Sequence, residues 1–163
     1  MTWRLESKEY EKNKGAGNRE LFHQLVKSKE PLGIVAFEGG EPIGWCSISP
    51  REKLIRLEHS RLFKRIDDTP VWSITCMFIK KEYRKKGISS MLIKEASRYA
   101  LSKGAKAIEA YPVISAKNKI MPDVFAYYGL ASAFKKAGFK KVKQASEQRL
   151  IMRLANSSDY RSQ

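Results

Sequence analysis

A chain of 163 residues, 42% hydrophobic and 30% charged, has the balance of one water-soluble domain, residues 1–163, long enough to enclose a core. Nothing in it approaches the roughly 20 apolar residues of a membrane span, and the start Met1-Thr2-Trp3-Arg4-Leu5-Glu6 lacks the apolar region of a signal peptide. The net charge of +15 admits either a lysine-rich solubilising surface or an anionic partner.

Residues 6–17 are charged and carry Gly15 and Gly17, so residues 1–17 read as a mobile lead-in. Asn18 is placed to cap a helix reaching about Ser28, with Leu21, Phe22, Leu25 and Val26 on one face. Gly33–Glu38 reads as a strand and Gly39-Gly40 as its turn. Ile43–Ile48 is the returning partner, stopped by Pro50. Residues 51–69 form a long charged connection with one short helix around His59–Lys64, and connections of that length are often functional. Val71–Ile79 is the next strand. A helix from about Ile88 to Ser102 carries Ile88, Leu92, Ala96, Tyr99 and Ala100 as its apolar stripe and ends at Gly104. Lys106–Tyr111 is a strand stopped by Pro112. Pro122-Asp123 opens a helical stretch to Ala137, broken or bent near Gly129. Phe139–Gln144 and Arg149–Leu154 close the chain as a hairpin, and the polar tail 155–163 reads as frayed.

Hairpins impose antiparallel pairing, whereas a strand–helix–strand unit imposes a parallel pair. The expected architecture is therefore α/β (α+β), with a mixed, mostly antiparallel central sheet and helices on both faces.

The most informative stretch runs from Ile74 to Ser90. An apolar strand leads into a basic turn holding Lys80, Lys81, Arg84, Lys85, Lys86 and Gly87, and a helix opens directly after it. A helix start offers unpaired N–H groups and the positive end of the helix dipole, both suited to phosphate. Glycine lets the backbone approach a ligand closely. The segment reads as the pyrophosphate cradle of a coenzyme, beside a strand able to hold the coenzyme's reactive end. Cys46 and Cys76 lie in apolar strand-like runs, as buried thiols of a reducing cytosol do. His23 and His59 are isolated, so no metal site is expected.

These residues resemble the GNAT superfamily of acetyl-CoA-dependent N-acetyltransferases. The family signature [R/Q]-x-x-G-x-[G/A] reads Arg84-Lys85-Lys86-Gly87-Ile88-Ser89, with Ser89 in place of the usual Gly or Ala. Lys103-Gly104-Ala105 before the next strand and Phe134-Lys135-Lys136-Ala137-Gly138-Phe139 near the end extend the likeness over roughly residues 31–154. Gly44-Trp45-Cys46 through Pro50-Arg51-Glu52, Asp67-Asp68 through Trp72-Ser73, and Glu109–Pro112 are similar to one bacterial subgroup, for which no substrate follows. The family's first strand has a counterpart only in Trp3-Arg4-Leu5.

The resemblance implies acetyl-CoA as the acetyl donor, a small-molecule or peptide amine as acceptor and, as in many relatives, a homodimer; the two cysteines point to a cytoplasmic enzyme, and with no apolar span and no nucleic-acid recognition motif neither a membrane nor a nucleic acid is an expected partner. It implies a strand bulge near Met77, Phe78 and Ile79, whose backbone would pair with the pantetheine arm. It places the pyrophosphate on Arg84, Lys85, Lys86, Gly87, Ile88, Ser89 and Ser90. The amine, with a pKa of about 10 if lysine-like, needs a proton acceptor. The strand Val71–Ile79 carries no carboxylate. Glu109 on the neighbouring strand is the candidate base or ammonium-binding group, with ion pairing to a lysine as the alternative. Alternation sets Tyr111 on the same face. The family's usual acid tyrosine corresponds to Phe134, which cannot donate. Tyr111, Tyr127, Tyr128 or water would replace it, although such tyrosines also serve as packing. Cys76 could carry the acyl group or be structural. Acidic candidates for the acceptor pocket are Glu58, Asp67, Asp68 and Glu109, with 51–69 and 113–125 shaping it. Two rival readings are a basic nucleic-acid-binding module and a non-catalytic acetyl-CoA-binding fold.

Overall fold

A computed structural model describes residues 1–114 and 127–156. Among them six strands form one sheet. They are β1 (Gly33–Glu38), β2 (Glu41–Pro50), β3 (Val71–Ile79), β4 (Ala107–Ala110), β5 (Lys140–Ser146) and β6 (Arg149–Ala155), in the order β1-β2-β3-β4-β6-β5. All neighbouring pairs are antiparallel except β3 with β4. The exception follows from the connection between them, which is the helix α4 (Ile88–Ser102) rather than a hairpin. The other described helices are α1 (Ser7–Lys12), α2 (Ala16–Lys27), α3 (Ile55–Glu58) and α5 (Ala131–Lys136).

The apolar stripe of α4 covers one face of the sheet. Leu92, Ile93, Ala96 and Ala100 pack with Cys46, Ile48, Ile74, Met77, Ile108 and Ala110 from the strands and with Ala133 and Phe134 from α5. Each large aliphatic side chain enclosed there contributes about 1.5–3 kcal/mol. Tyr99 at the edge of the stripe meets Trp72 edge-on, with ring centroids 6.1 Å apart. The opposite face holds a smaller cluster of Leu54, Leu57, Phe63, Tyr111 and Ile151, against which Trp3 and Ile66 pack. Helices therefore lie on both faces, as the sequence pattern requires.

Several boundaries differ from the sequence expectation. Residues 6–17 are not a bare lead-in, because α1 occupies Ser7–Lys12. Gly15, at φ +84°, turns the chain into α2 at Ala16, so Asn18 lies inside the helix instead of capping it. Trp3-Arg4-Leu5 adds no strand; Arg4 N–H closes a turn onto the Met1 carbonyl at 2.8 Å. In the 51–69 connection the helix is Ile55–Glu58, not His59–Lys64. The cause is Arg51, whose buried guanidinium donates to the Leu57 carbonyl (3.4 Å) and the Phe63 carbonyl (2.6 Å) and wraps the chain around itself. The expected helical stretch from Pro122 to Ala137 is a helix over Ala131–Lys136, and residues 115–126 lie outside the described part. The tail beyond residue 156 lies outside it too.

One irregularity positions everything that follows. The β2–β3 register passes from Ser47↔Cys76 to Ile48↔Ile74, leaving Thr75 as an extra residue on β3. Such a bulge reverses which face each later residue meets. Before it, Trp72 and Ile74 pack toward α4; after it, Met77 and Ile79 do. The bulge thus falls two residues earlier than the expected Met77–Ile79.

Candidate functional site

At the C-terminal end of β3 the chain passes through a short 3-10 turn (Lys81–Tyr83) into α4. Lys85 (φ +61°) and Gly87 (φ +82°) both adopt left-handed backbone, which folds the turn into a concavity. The first N–H groups of α4 have no side-chain cap, and among the described residues no backbone carbonyl accepts from Gly87, Ile88, Ser89 or Ser90. A Cβ built on Gly87 would meet nothing within 4 Å, so the concavity is open. Arg84 serves partly as a tie, donating from Nε to the Ile79 carbonyl at 3.0 Å. Lys86 lies 5.3 Å from the Tyr83 ring centroid. Uncapped donors, a helix dipole and surrounding lysines suit a polyanion.

Beside this concavity β3 and β4 separate. Their pairing stops at Ile74↔Ala110, and Pro112 has no N–H with which to continue it. Beyond that point residues 127–131 enter the gap. The Met77 N–H donates to the Tyr127 carbonyl (2.8 Å), the Val113 N–H to the Gly129 carbonyl (3.0 Å) and the Ala131 N–H to the Val113 carbonyl (3.0 Å). Alternation then turns the backbone of Phe78 toward β2 and that of Ile79 toward the gap. Of the three residues expected to line the gap, Met77 and Ile79 present backbone to it, while Phe78 is engaged with Trp45 across the β2–β3 ladder. Gly129 makes the insertion feasible: at φ +76°, a Cβ there would lie 2.7 Å from the Phe134 ring and 3.1 Å from Met77 Sδ. Gly129→Ala is expected to destabilise the protein by about 1–3 kcal/mol through overpacking and backbone strain, read as a lowered urea midpoint.

On the face opposite α4, at the bulge, lies a cavity of about 340 Å³. Thr75 and Cys76 both line it, which strict alternation would forbid and the bulge allows. The rest of its wall includes Trp3, Arg4, Tyr10, Asn18, Arg19, Phe22, Trp45 and Tyr127. Cys76 lies beside Tyr127 and Trp45 in this wall, and burial pushes its thiol pKa up. Burial, reinforced by Cys76, also raises the Tyr127 phenol. A thiol held protonated, with no histidine or carboxylate among the lining residues, is not an activated nucleophile.

The sequence-derived catalytic candidates Glu109, Tyr111 and Tyr128 do not line this cavity. Glu109 is 1% exposed, and both of its oxygens are occupied. Oε1 accepts from Arg153 Nε (3.1 Å) and Nη2 (2.7 Å); Oε2 accepts from Arg51 Nη1 (3.3 Å) and the Tyr111 hydroxyl (3.0 Å). No lone pair remains to take a proton from an amine, so the base assignment of Glu109 does not fit its surroundings. Tyr111 is tied in the same network, through Arg51 Nη1 (2.9 Å) and Ser73 Oγ (2.9 Å), and burial followed by the Glu109 charge pushes its pKa up. Tyr128 packs against the Arg149 guanidinium, 4.0 Å from its ring centroid. Phe134 is core, edge-on to Phe139 at 5.3 Å. Glu58 is bound by Arg51 and Arg65, and Asp67 by Arg153 at 2.6 Å, which lowers the Asp67 pKa to about 2. Neither these two nor Asp68 lines the cavity. Among the lining residues that sequence reasoning passed over as site residues, Arg4 and Asn18 supply a buried guanidinium and a buried amide beside the aromatic wall of Trp3, Tyr10, Phe22 and Trp45. Their one signal was the Trp3-Arg4 pair itself, polar chemistry adjoining an aromatic near the chain start.

Among the described residues no group of histidine, cysteine, aspartate or glutamate is arranged to hold a metal, and no helix is long and apolar enough to cross a membrane. The profile of the Acetyltransferase (GNAT) family matches residues 1–126. No match was found among the curated proteins. Among solved structures, the PaiA N-acetyltransferase of Thermoplasma acidophilum in complex with coenzyme A aligns at TM-score 0.54 and 20% identity, over 93% of this chain and 80% of that one. Arabidopsis thaliana NAA60 in complex with acetyl-CoA aligns at 0.52 and 17%, over 84% and 83%. A GNAT acetyltransferase from Streptococcus pneumoniae aligns at 0.53 and 14%, over 87% and 77%. At these identities the structural likeness speaks for the fold, and the profile match speaks for the family.

Proposed function

This chain belongs to the GNAT family of acetyltransferases, and on that premise we propose that it moves the acetyl group of acetyl-CoA to a primary amine held in the cavity at the β3 bulge. The observation that carries the proposal is the uncapped start of α4, opened by left-handed Gly87 directly beside the point where β3 and β4 part. The N–H groups of Gly87, Ile88, Ser89 and Ser90 would hold the pyrophosphate, with Arg84, Lys85 and Lys86 adding charge. Met77 and Ile79 would present their backbone to the pantetheine arm, with Phe78 beside them. Structures of fold relatives containing acetyl-CoA and coenzyme A support the same donor.

The thioester supplies an electrophilic carbonyl: a C–N bond forms, the C–S bond breaks, and one proton passes from the amine to the departing sulfur. The Met77 N–H, on the gap side of β3, would stabilise negative charge on an oxygen there by exchanging its bond to the Tyr127 carbonyl (2.8 Å) for that oxygen. Of the three tyrosines that the sequence offers, the cavity holds Tyr127 and neither Tyr111 nor Tyr128. Its firmly held proton suits hydrogen bonding to a negative sulfur more than outright donation, and a thiolate whose conjugate thiol has a pKa of about 8.5 takes a proton from water near neutral pH. No lining carboxylate or imidazole takes the amine proton, so it passes to water, and water in turn protonates the departing sulfur.

The proposal treats residues 1–163 as one catalytic domain. It includes the homodimer that the resemblance implies, readable by sedimentation, and a cytoplasmic setting supported by two free cysteines. The test is calorimetric titration with acetyl-CoA followed by thiol release against an amine panel. Saturable binding and amine-dependent thiol release are expected; absence of saturable binding would overturn the proposal.

A further inference from the structure

The cavity at the bulge differs from a generic amine pocket in its charge. Two guanidiniums line it and no carboxylate does. Arg4 is only 9% exposed, and one of its Nη groups donates to Ser49 Oγ. Glu30 acts on Arg4 through space but is paired with Lys53 at 3.5 Å, and burial is the larger influence, lowering the Arg4 pKa. No other acceptor among the described residues takes the remaining Arg4 donors. Such a buried cation is costly unless an anion meets it.

A second observation on the same wall points to the same ligand. Asn18 is 8% exposed; its Nδ2 donates to the Tyr10 carbonyl at 2.9 Å, and its Oδ1 has no partner. The Tyr10 carbonyl fixes that orientation, since a flipped amide would set two oxygens together. The cavity wall therefore holds an unused acceptor, enclosed within a lining residue. It also holds an unused donor, Trp3 Nε1, enclosed in the same way and without a partner. Phe22 and Trp45 meet edge-on at 6.2 Å and add aromatic wall, as does Tyr10.

Resting on the acetyltransferase reading above, we infer that the acceptor is an amine that also carries a carboxylate and an apolar, aromatic-sized body, with the carboxylate on Arg4 and with Trp3 Nε1 and Asn18 Oδ1, once turned into the cavity, as a second donor to the carboxylate and the acceptor for the amine. Two physical consequences favour this class. A polycation such as a polyamine is repelled by Arg4 and Arg19. A bound ammonium beside two guanidiniums also loses its proton more readily, which supplies the neutral nucleophile that the missing base would otherwise have to generate. In the transfer the amine nitrogen gains the acetyl carbon, the thiol leaves with the proton, and the carboxylate stays bound and unchanged.

The test compares L-phenylalanine with L-phenylalanine methyl ester, phenethylamine and spermidine, by thiol release and by calorimetric binding to the CoA-loaded protein. L-Phenylalanine is expected to exceed phenethylamine at least tenfold in kcat/KM or, where turnover is slow, in affinity. Arg4→Gln is expected to collapse that ratio to near one while the affinity for CoA is unchanged. Should Arg4→Gln fail to fold, Asn18→Asp serves instead: a carboxylate in the cavity is expected to reverse the preference toward phenethylamine. Equal or better use of phenethylamine or spermidine by the wild type, or no binding of L-phenylalanine, would overturn the inference and leave the acetyl-CoA reading standing. Loss of CoA binding itself would instead strike at that reading.

Discussion

Gly87→Asp is expected to weaken coenzyme A binding at least 100-fold, about 2.7 kcal/mol, while the protein stays folded. The fold survives for three reasons. A side chain at position 87 meets open space. Left-handed backbone at φ +82° costs a non-glycine residue about 1–2 kcal/mol, and aspartate less than most. An aspartate preceding Ile88 is also a good helix cap, so it recovers part of that cost. Binding is lost for the same reason that the cap is good: the carboxylate takes the N–H donors of the first turn and sets negative charge where a pyrophosphate would sit. At about 4 Å and an effective dielectric near 20, each pair of like charges costs about 4 kcal/mol before screening. Gly87→Asn, a cap without charge, is expected to lose about tenfold, which separates donor competition from repulsion. Calorimetric titration reads all three proteins. An affinity for Gly87→Asp within threefold of the wild type would remove the cradle from α4.

Glu109→Gln is expected to cost about 3–5 kcal/mol of folding stability and little of the intrinsic rate. The substitution keeps the shape but removes the charge that holds Arg51 and Arg153 in place. Arg51 is 1% exposed and would retain Glu58 alone as its ionic partner, while the new amide turns an NH2 toward a guanidinium. The network ties the 51–69 connection and β6 to the middle of the sheet, so the loss is global and appears in the urea midpoint. A catalytic base would give the opposite signature: an unchanged midpoint with turnover reduced by orders of magnitude. Chemical denaturation paired with thiol-release kinetics below the unfolding transition distinguishes the two, and the second pattern would return Glu109 to the reaction.

The elements that the sequence shows well are those with strong local determinants. Val71–Ile79 and Ile88–Ser102 fall on their expected bounds because a sustained apolar strand and a 3.6-residue stripe ending at a glycine admit few alternatives. The same holds for the β1–β2 turn at Gly39-Gly40, and for the mixed sheet, since connection type decides strand direction. The short elements were harder. Helix α3 forms at Ile55–Glu58 because a buried arginine organises the chain around it, and α1 forms in a segment whose composition favours no burial.

By itself, then, the sequence determines the sheet, the α4 stripe and the basic, glycine-opened turn that identifies the family, because all of these are encoded within a turn or two of local chain. Only the tertiary structure decides which polar groups share a space. Glu109 is satisfied by Arg51 and Arg153, which lie 58 and 44 residues away. Arg4, Asn18, Cys76 and Tyr127 meet in one cavity from four separate segments. A single extra residue at Thr75 sets which face Cys76 occupies, and no local pattern announces it. The physical reason is range: backbone propensity and hydrophobic period act between near neighbours, whereas charge pairing and cavity lining join residues that only the completed sheet brings together.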